Sequence, residues 1–132
     1  MDLASARGAK KTIPLPVSGA FHSSLMSEAK AGLADAIKDL DFNEPKMPVV
    51  GNCDCKPLTT SAEIRSELVN GLCRCVQWKD LVRQIVDSGV TQFVEFGSGG
   101  VLAGLIKRID RGVKVTTVSD TASIRKMFEE VA

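Results

Sequence analysis

The order of apolar patterns in the C-terminal third most constrains what this chain can become. Val90 to Phe96 is a short, largely apolar run with strand character. Gly97-Ser98-Gly99-Gly100 follows as a tight turn, and Val101 to Ile109 reads as a helix. Val113 to Val118 is a second strand, rich in β-branched residues. Ile124, Met127, Phe128 and Val131 then stripe a last helix. Alternating strand and helix argue for an α/β fold with a largely parallel sheet.

The same alternation extends toward the N-terminus. Ile13-Pro14-Leu15-Pro16-Val17-Ser18 reads as extended, since its two prolines exclude a helix interior. A turn over Ser18 to Ser23 leads into an amphipathic helix from Ser24 to Leu40, striped by Leu25, Ala29, Leu33, Ile37 and Leu40 and closed by Asn43-Glu44-Pro45-Lys46. Pro48-Val49-Val50-Gly51-Asn52 is a buried strand candidate. Thr60 and Glu63 form a capping box that opens a helix through Ile64, Leu68 and Leu72. Trp78, Leu81, Val82, Ile85 and Val86 stripe another, ended by Ser88-Gly89 with Gly89 placed for a left-handed cap. Three or four strands are few for a doubly wound sheet, and a parallel sheet needs cover on both faces. Part of the domain is therefore expected to lie outside this chain.

Composition narrows the function classes. At 132 residues, 44% hydrophobic and 25% charged, the chain suits one soluble domain or a piece of a larger one. No apolar run approaches the roughly 20 residues of a membrane helix, and the N-terminus has no signal-peptide core. A cytoplasmic protein without membrane association is expected. A net charge of +1, a single Trp and no Tyr give little with which to bind nucleic acid. Cys53/Cys55 and Cys73/Cys75 form two C-x-C pairs. Zinc sites favour C-x2-4-C with further ligands, and no histidine is near, so small apolar residues on a strand end and a loop are expected rather than a metal site.

His22 is the only histidine. It is expected at the end of a strand, where ligands gather in open α/β sheets, and its ordinary pKa suits general-base work. A base needs a nucleophile, and no G-x-S-x-G pentapeptide occurs. Ser23 or Ser24 is better suited to cap the following helix. Gly97-Ser98-Gly99-Gly100 opens a helix, where backbone N–H groups can hold an anion. It matches neither G-x-G-x-x-G nor a P-loop, so a structural turn is the simpler reading.

Taken together, these segments resemble a known family. Ile13-Pro14-Leu15-Pro16-Val17-Ser18-Gly19-Ala20-Phe21-His22-Ser23 resembles the catalytic-histidine segment of malonyl-CoA:acyl-carrier-protein transacylases. Cys75-Val76-Gln77-Trp78 resembles their P-V-x-W motif, with Cys75 in place of proline. Glu95-Phe96-Gly97-Ser98-Gly99-Gly100-Val101-Leu102 followed by Gly104-Leu105 resembles their E-x-G-P-x-x-x-L helix opening, with Ser98 in place of proline. Pro48-Val49-Val50-Gly51-Asn52 resembles another family strand. The motifs stand in family order along essentially the whole chain.

The resemblance implies an S-malonyltransferase of fatty acid or polyketide biosynthesis, acting on malonyl-CoA and acyl carrier protein without a cofactor. A serine takes the malonyl group and a histidine moves the proton. His22 would be that base, oriented by the backbone carbonyl at the matching position, Gly71. Phe21 and Asn52 would lie at the substrate; Phe21 would crowd a methyl branch there, with core packing as its alternative role. The family's G-H-S-x-G elbow, its G-Q-G-x-Q segment and the arginine that pairs with the malonyl carboxylate have no counterpart here. The resemblance therefore covers a C-terminal part only. Residues 1–18 would end the small inserted subdomain, and residues 19–132 would form the C-terminal part of the large α/β subdomain, a partial parallel sheet flanked by helices. Such a chain is expected to be inactive alone. The alternative is a non-catalytic α/β interaction module that binds acyl carrier protein or forms a homodimer through the surface left exposed.

Overall fold

The computed structural model describes residues 1–14 and 17–131. Its elements run α1 (Asp2–Ala6), a 3-10 turn (Ser24–Met26), α2 (Ser27–Ala36), β1 (Val49–Val50), β2 (Pro57–Leu58), α3 (Ser61–Gly71), α4 (Trp78–Asp87), β3 (Gln92–Phe96), α5 (Val101–Ile109), β4 (Lys114–Val118) and α6 (Thr121–Val131).

The C-terminal third folds as its pattern requires. β3 and β4 pair in parallel, Gln92 opposite Lys114 through Phe96 opposite Val118, with α5 as the crossover. Their inner face packs Phe93 and Val115 against a core of Val82 from α4, Ile106 from α5 and Val113. Val82 is 1% exposed. Gly89 takes φ +97° just after α4, and Gly97 and Gly99 take φ +139° and +100° in the turn before α5. A Cβ at such angles is strained, which is why glycine stands there.

Two expectations need correction. The described parallel sheet has two strands, and Val49–Val50 lies outside it. That short strand pairs antiparallel with Pro57–Leu58 as a separate ribbon. Proline on both sides of the ribbon withholds backbone donors and keeps it short. Second, no described strand precedes His22. The extended run expected at 13–18 includes Leu15 and Pro16, which lie outside the described residues, and Ile13, Pro14 and Val17 carry no regular structure.

The helix expected over Ser24–Leu40 also breaks early. Ser23 caps the 3-10 turn, its Oγ accepting from Leu25 N–H at 3.3 Å, and α2 ends at Ala36. Arg65 of α3 donates to the carbonyls of Ile37 and Leu40, the latter at 2.7 Å, and stacks over the Phe42 ring. The Ile37 carbonyl also accepts from Leu40 N–H at 3.2 Å, whereas the Leu40 carbonyl bonds the guanidinium instead of a further helical turn.

The second face of β3 is open, although Val118 on the same face of β4 is buried. Val94 and Phe96 project from β3 opposite to Phe93 and stay exposed, Phe96 at 70%. The whole chain exposes 10083 Å², against roughly 6,700 Å² for a compact monomer of its 14.1 kDa mass. Among the described residues no helix is long and apolar enough to cross a membrane.

Candidate functional site

His22 has φ +63°, a conformation that non-glycine residues adopt only when their surroundings hold them there. Two bonds do so. Its backbone N–H donates to Leu72 O at 2.8 Å, and its ring Nδ1 lies 2.8 Å from Gly71 O. Both acceptors are consecutive carbonyls at the C-terminal end of α3, where helical carbonyls lack intrahelical partners. A carbonyl can only accept, so Nδ1 carries the ring proton. In the neutral imidazole that leaves Nε2 as a bare acceptor. The ring is thus held with the Nε2 lone pair directed away from α3.

α3 can hold this position because its own N-terminus is well closed. Thr60 Oγ1 accepts from Glu63 N–H at 3.2 Å, and the Glu63 carboxylate accepts from Thr59 and Thr60 N–H at 2.7 and 3.0 Å. These bonds hold the Glu63 carboxyl below the usual carboxylate range.

Beside His22 lies a cavity of about 200 Å³ lined by His22, Asn52, Cys53, Glu67, Leu68, Gly71, Leu72 and Val76. Two larger hollows, of about 220 and 450 Å³, border the β1–β2 ribbon, and neither includes His22. Asn52 reaches the cavity because its peptide is tied on both sides. Its N–H donates to Glu67 Oε1 at 2.6 Å, and its carbonyl accepts from Gln77 N–H at 2.9 Å.

The structure thus brings His22, Gly71 and Asn52 to one cavity and leaves Phe21 outside its lining. The Phe21 ring folds back over Gly19, where a Cβ would lie 2.7 Å from the ring. At 57% exposure Phe21 is not a core residue, which removes one of its two expected roles. Leu72 and Glu67 escaped the reading of the sequence. Glu67 stands four residues before Gly71 on α3, hence on the same helix face, and that spacing was the available signal.

The two buried cysteines, Cys53 and Cys55, make poor nucleophiles. All four are free. Burial pushes the Cys53 thiol up, and the neighbouring Glu67 charge pushes it further. Cys55 is raised by burial and then by Asp80. Among the described residues no group of three or more His, Cys, Asp or Glu is arranged to hold a metal.

The glycine turn before α5 already has its anion. Glu95 Oε1 and Oε2 accept from Leu102 and Ala103 N–H at 3.1 and 2.9 Å. A side-chain carboxylate fills the helix N-terminus where a phosphate would have to sit.

No family model matches the chain. The malonyl CoA-acyl carrier protein transacylase of Bacillus subtilis (strain 168) is 37% identical over 123 residues, covering 93% of this chain and 39% of that protein. Among solved structures, the malonyl-transacylase of the PlMCAT:AntF complex, bound there to its type II PKS acyl-carrier protein, superposes with a TM-score of 0.89 at 40% identity, over 98% of this chain and 42% of that one. An acyl carrier protein S-malonyltransferase from Vibrio cholerae O1 biovar eltor superposes at 0.86 with 37% identity, over 96% and 41%. The chain spans about two-fifths of the length of the relatives it matches. In sequence and fold the chain is the counterpart of the C-terminal part of malonyl CoA-acyl carrier protein transacylases.

Proposed function

We propose that this chain is the base-bearing part of an S-malonyltransferase, with His22 as general base and Gly71 as the carbonyl that orients it. The observation that carries this reading is the 2.8 Å contact from His22 Nδ1 to Gly71 O, which fixes the tautomer and frees Nε2. A serine on a G-x-S-x-G segment outside these 132 residues gives its proton to Nε2 as Oγ attacks the malonyl thioester. Collapse of the tetrahedral intermediate expels the CoA thiolate, which takes that proton, and leaves a malonyl-serine ester. The phosphopantetheine thiol of acyl carrier protein then attacks the ester, with Nε2 taking the thiol proton and returning it to the departing Oγ. Asn52 and Phe21 flank the substrate. Residues 1–18 close a small subdomain, and residues 19–132 belong to the large one.

The test is complementation. The 132-residue chain alone is expected to transfer no malonyl group. Mixed with the N-terminal part of a related transacylase, it is expected to restore transfer from malonyl-CoA to acyl carrier protein, and His22→Ala should abolish that transfer. Transfer by the chain alone, or complemented transfer indifferent to His22→Ala, overturns the reading.

The exposed face around Phe96 favours one second reading, an interaction module that pairs with its own copy. A stable homodimer that binds no transacylase N-terminal part would support that reading over the first.

A further inference from the structure

α3 organises the candidate site from two of its residues. Its C-terminal carbonyls hold His22, as described. One turn earlier on the same face, the half-buried Glu67 extends its carboxylate under the segment from Gly51 to Cys53. Oε1 accepts from Asn52 N–H at 2.6 Å and from Cys53 N–H at 3.0 Å. Gly51 permits the approach, since a Cβ there would lie 3.1 Å from the Glu67 carboxyl carbon. Asn52, Cys53, Glu67 and His22 all line the same cavity. Bonds from N–H to carboxylate are among the stronger in proteins. The next residue, Asp54, is engaged instead by Arg74, Nη1 to Oδ2 at 2.8 Å.

We infer that Glu67 is a positioning residue: it locks the Asn52–Cys53 wall of the cavity to the helix that holds His22, so the base and the facing backbone move as one body. The inference rests on the reading of His22 as the base. Loss of the carboxylate would leave His22 on its two carbonyls and let the opposite wall drift.

Amide hydrogen exchange on the full 132-residue chain tests the lock. In Glu67→Ala the Asn52 and Cys53 amides should exchange roughly ten- to hundredfold faster, with Leu81 and Val82 of α4 unchanged. Glu67→Gln keeps an acceptor oxygen and should recover most of the protection. Wild-type exchange at Asn52 and Cys53 in Glu67→Ala overturns the lock. If α4 also loses protection in Glu67→Ala, the Gln variant decides: protection retained supports the lock, and protection lost at residues 52 and 53 with α4 intact limits it to the charged carboxylate and still supports it, whereas uniform loss throughout overturns it as a local device. In the complemented transacylase, Glu67→Ala should lower kcat about tenfold or more with a smaller change in KM, and Glu67→Gln should restore most of it. Unchanged kcat overturns the positioning role. Absence of transfer in the complemented wild type sinks the His22 reading instead, and the exchange result then judges the lock by itself.

Discussion

At the scale of single residues, the site depends on main-chain atoms more than on side-chain identity. His22 is held by two carbonyls, from Gly71 and Leu72, and Asn52 by its own peptide group. A residue whose function is its carbonyl tolerates a new side chain wherever space permits. At Gly71 an added Cβ meets nothing within 4 Å, and the residue ends α3 without a positive φ. Gly71→Ala is therefore expected to stabilise the chain by about 0.5–1 kcal/mol by reducing the freedom of the unfolded state, read as a higher urea midpoint, while leaving complemented malonyl transfer within about twofold of wild type. A lower midpoint would mean that Gly71 serves through its flexibility rather than its carbonyl. This is also why the site was only partly legible in the sequence. His22 and the matching Gly71 stand out through motif spacing. Leu72 does not, because a carbonyl leaves no trace in residue type. Phe21 was weighed between core and pocket, and its fold-back over Gly19 depends on one torsion that spacing cannot express.

At the scale of elements, carboxylates close the helix starts. Glu63 closes α3 and Glu95 closes α5, and Asp120 opens α6 by accepting from Ser123 N–H at 2.7 Å. Three carboxyls are held below their ordinary range: Glu63 by the Thr59 and Thr60 N–H groups, Asp120 by Ser123, and Asp54 by its hydrogen bond to Arg74. Each folded pKa lies below the unfolded value of about 4, so in acid the unfolded chain binds more protons than the folded one. The stabilisation from these groups is complete above about pH 5 and is lost as pH falls through the lowered folded values. Urea midpoints measured from pH 7 to pH 3 should hold nearly level at first and drop below about pH 4. Glu63→Gln should lower the midpoint at pH 7 and flatten that drop; an unchanged acid slope would sink the assignment. The same caps made the helices readable. Thr60 with Glu63 and the glycine after Ser88 set the start of α3 and the end of α4, and both stand where the sequence places them. The short strand at Val49–Val50 was misread as part of the main sheet because its partner, Pro57–Leu58, has no strand signature of its own. Only the fold of the intervening loop brings the two together.

At the scale of the whole molecule, the surface is the largest anomaly. An excess of roughly 3,000 Å² over a compact monomer is of the order that obligate interfaces bury. Its apolar part is spread along the chain, from Leu3, Leu25 and Met47 to Val94 and Phe96 on the uncovered face of β3 and Val101 and Phe128 near the ends of α5 and α6. The core is correspondingly thin, and Val82, Ile106 and Val113 form its buried centre. Two substitutions should therefore separate folding from association. Val82→Ala removes buried methyls at 1% exposure and is expected to cost about 1–3 kcal/mol of stability. Phe96→Lys, on the open face, should change stability by no more than about 0.5 kcal/mol. It should nevertheless weaken association through that face at least about tenfold, since burying an unpaired ammonium is costly. Sedimentation velocity over rising concentration reads the homodimer, and titration with a transacylase N-terminal part reads complementation. If Phe96→Lys lowers complementation but leaves self-association alone, the face serves the partner polypeptide. The converse result assigns it to a second copy. If Phe96→Lys alters neither, the exposed strand face is not an interface.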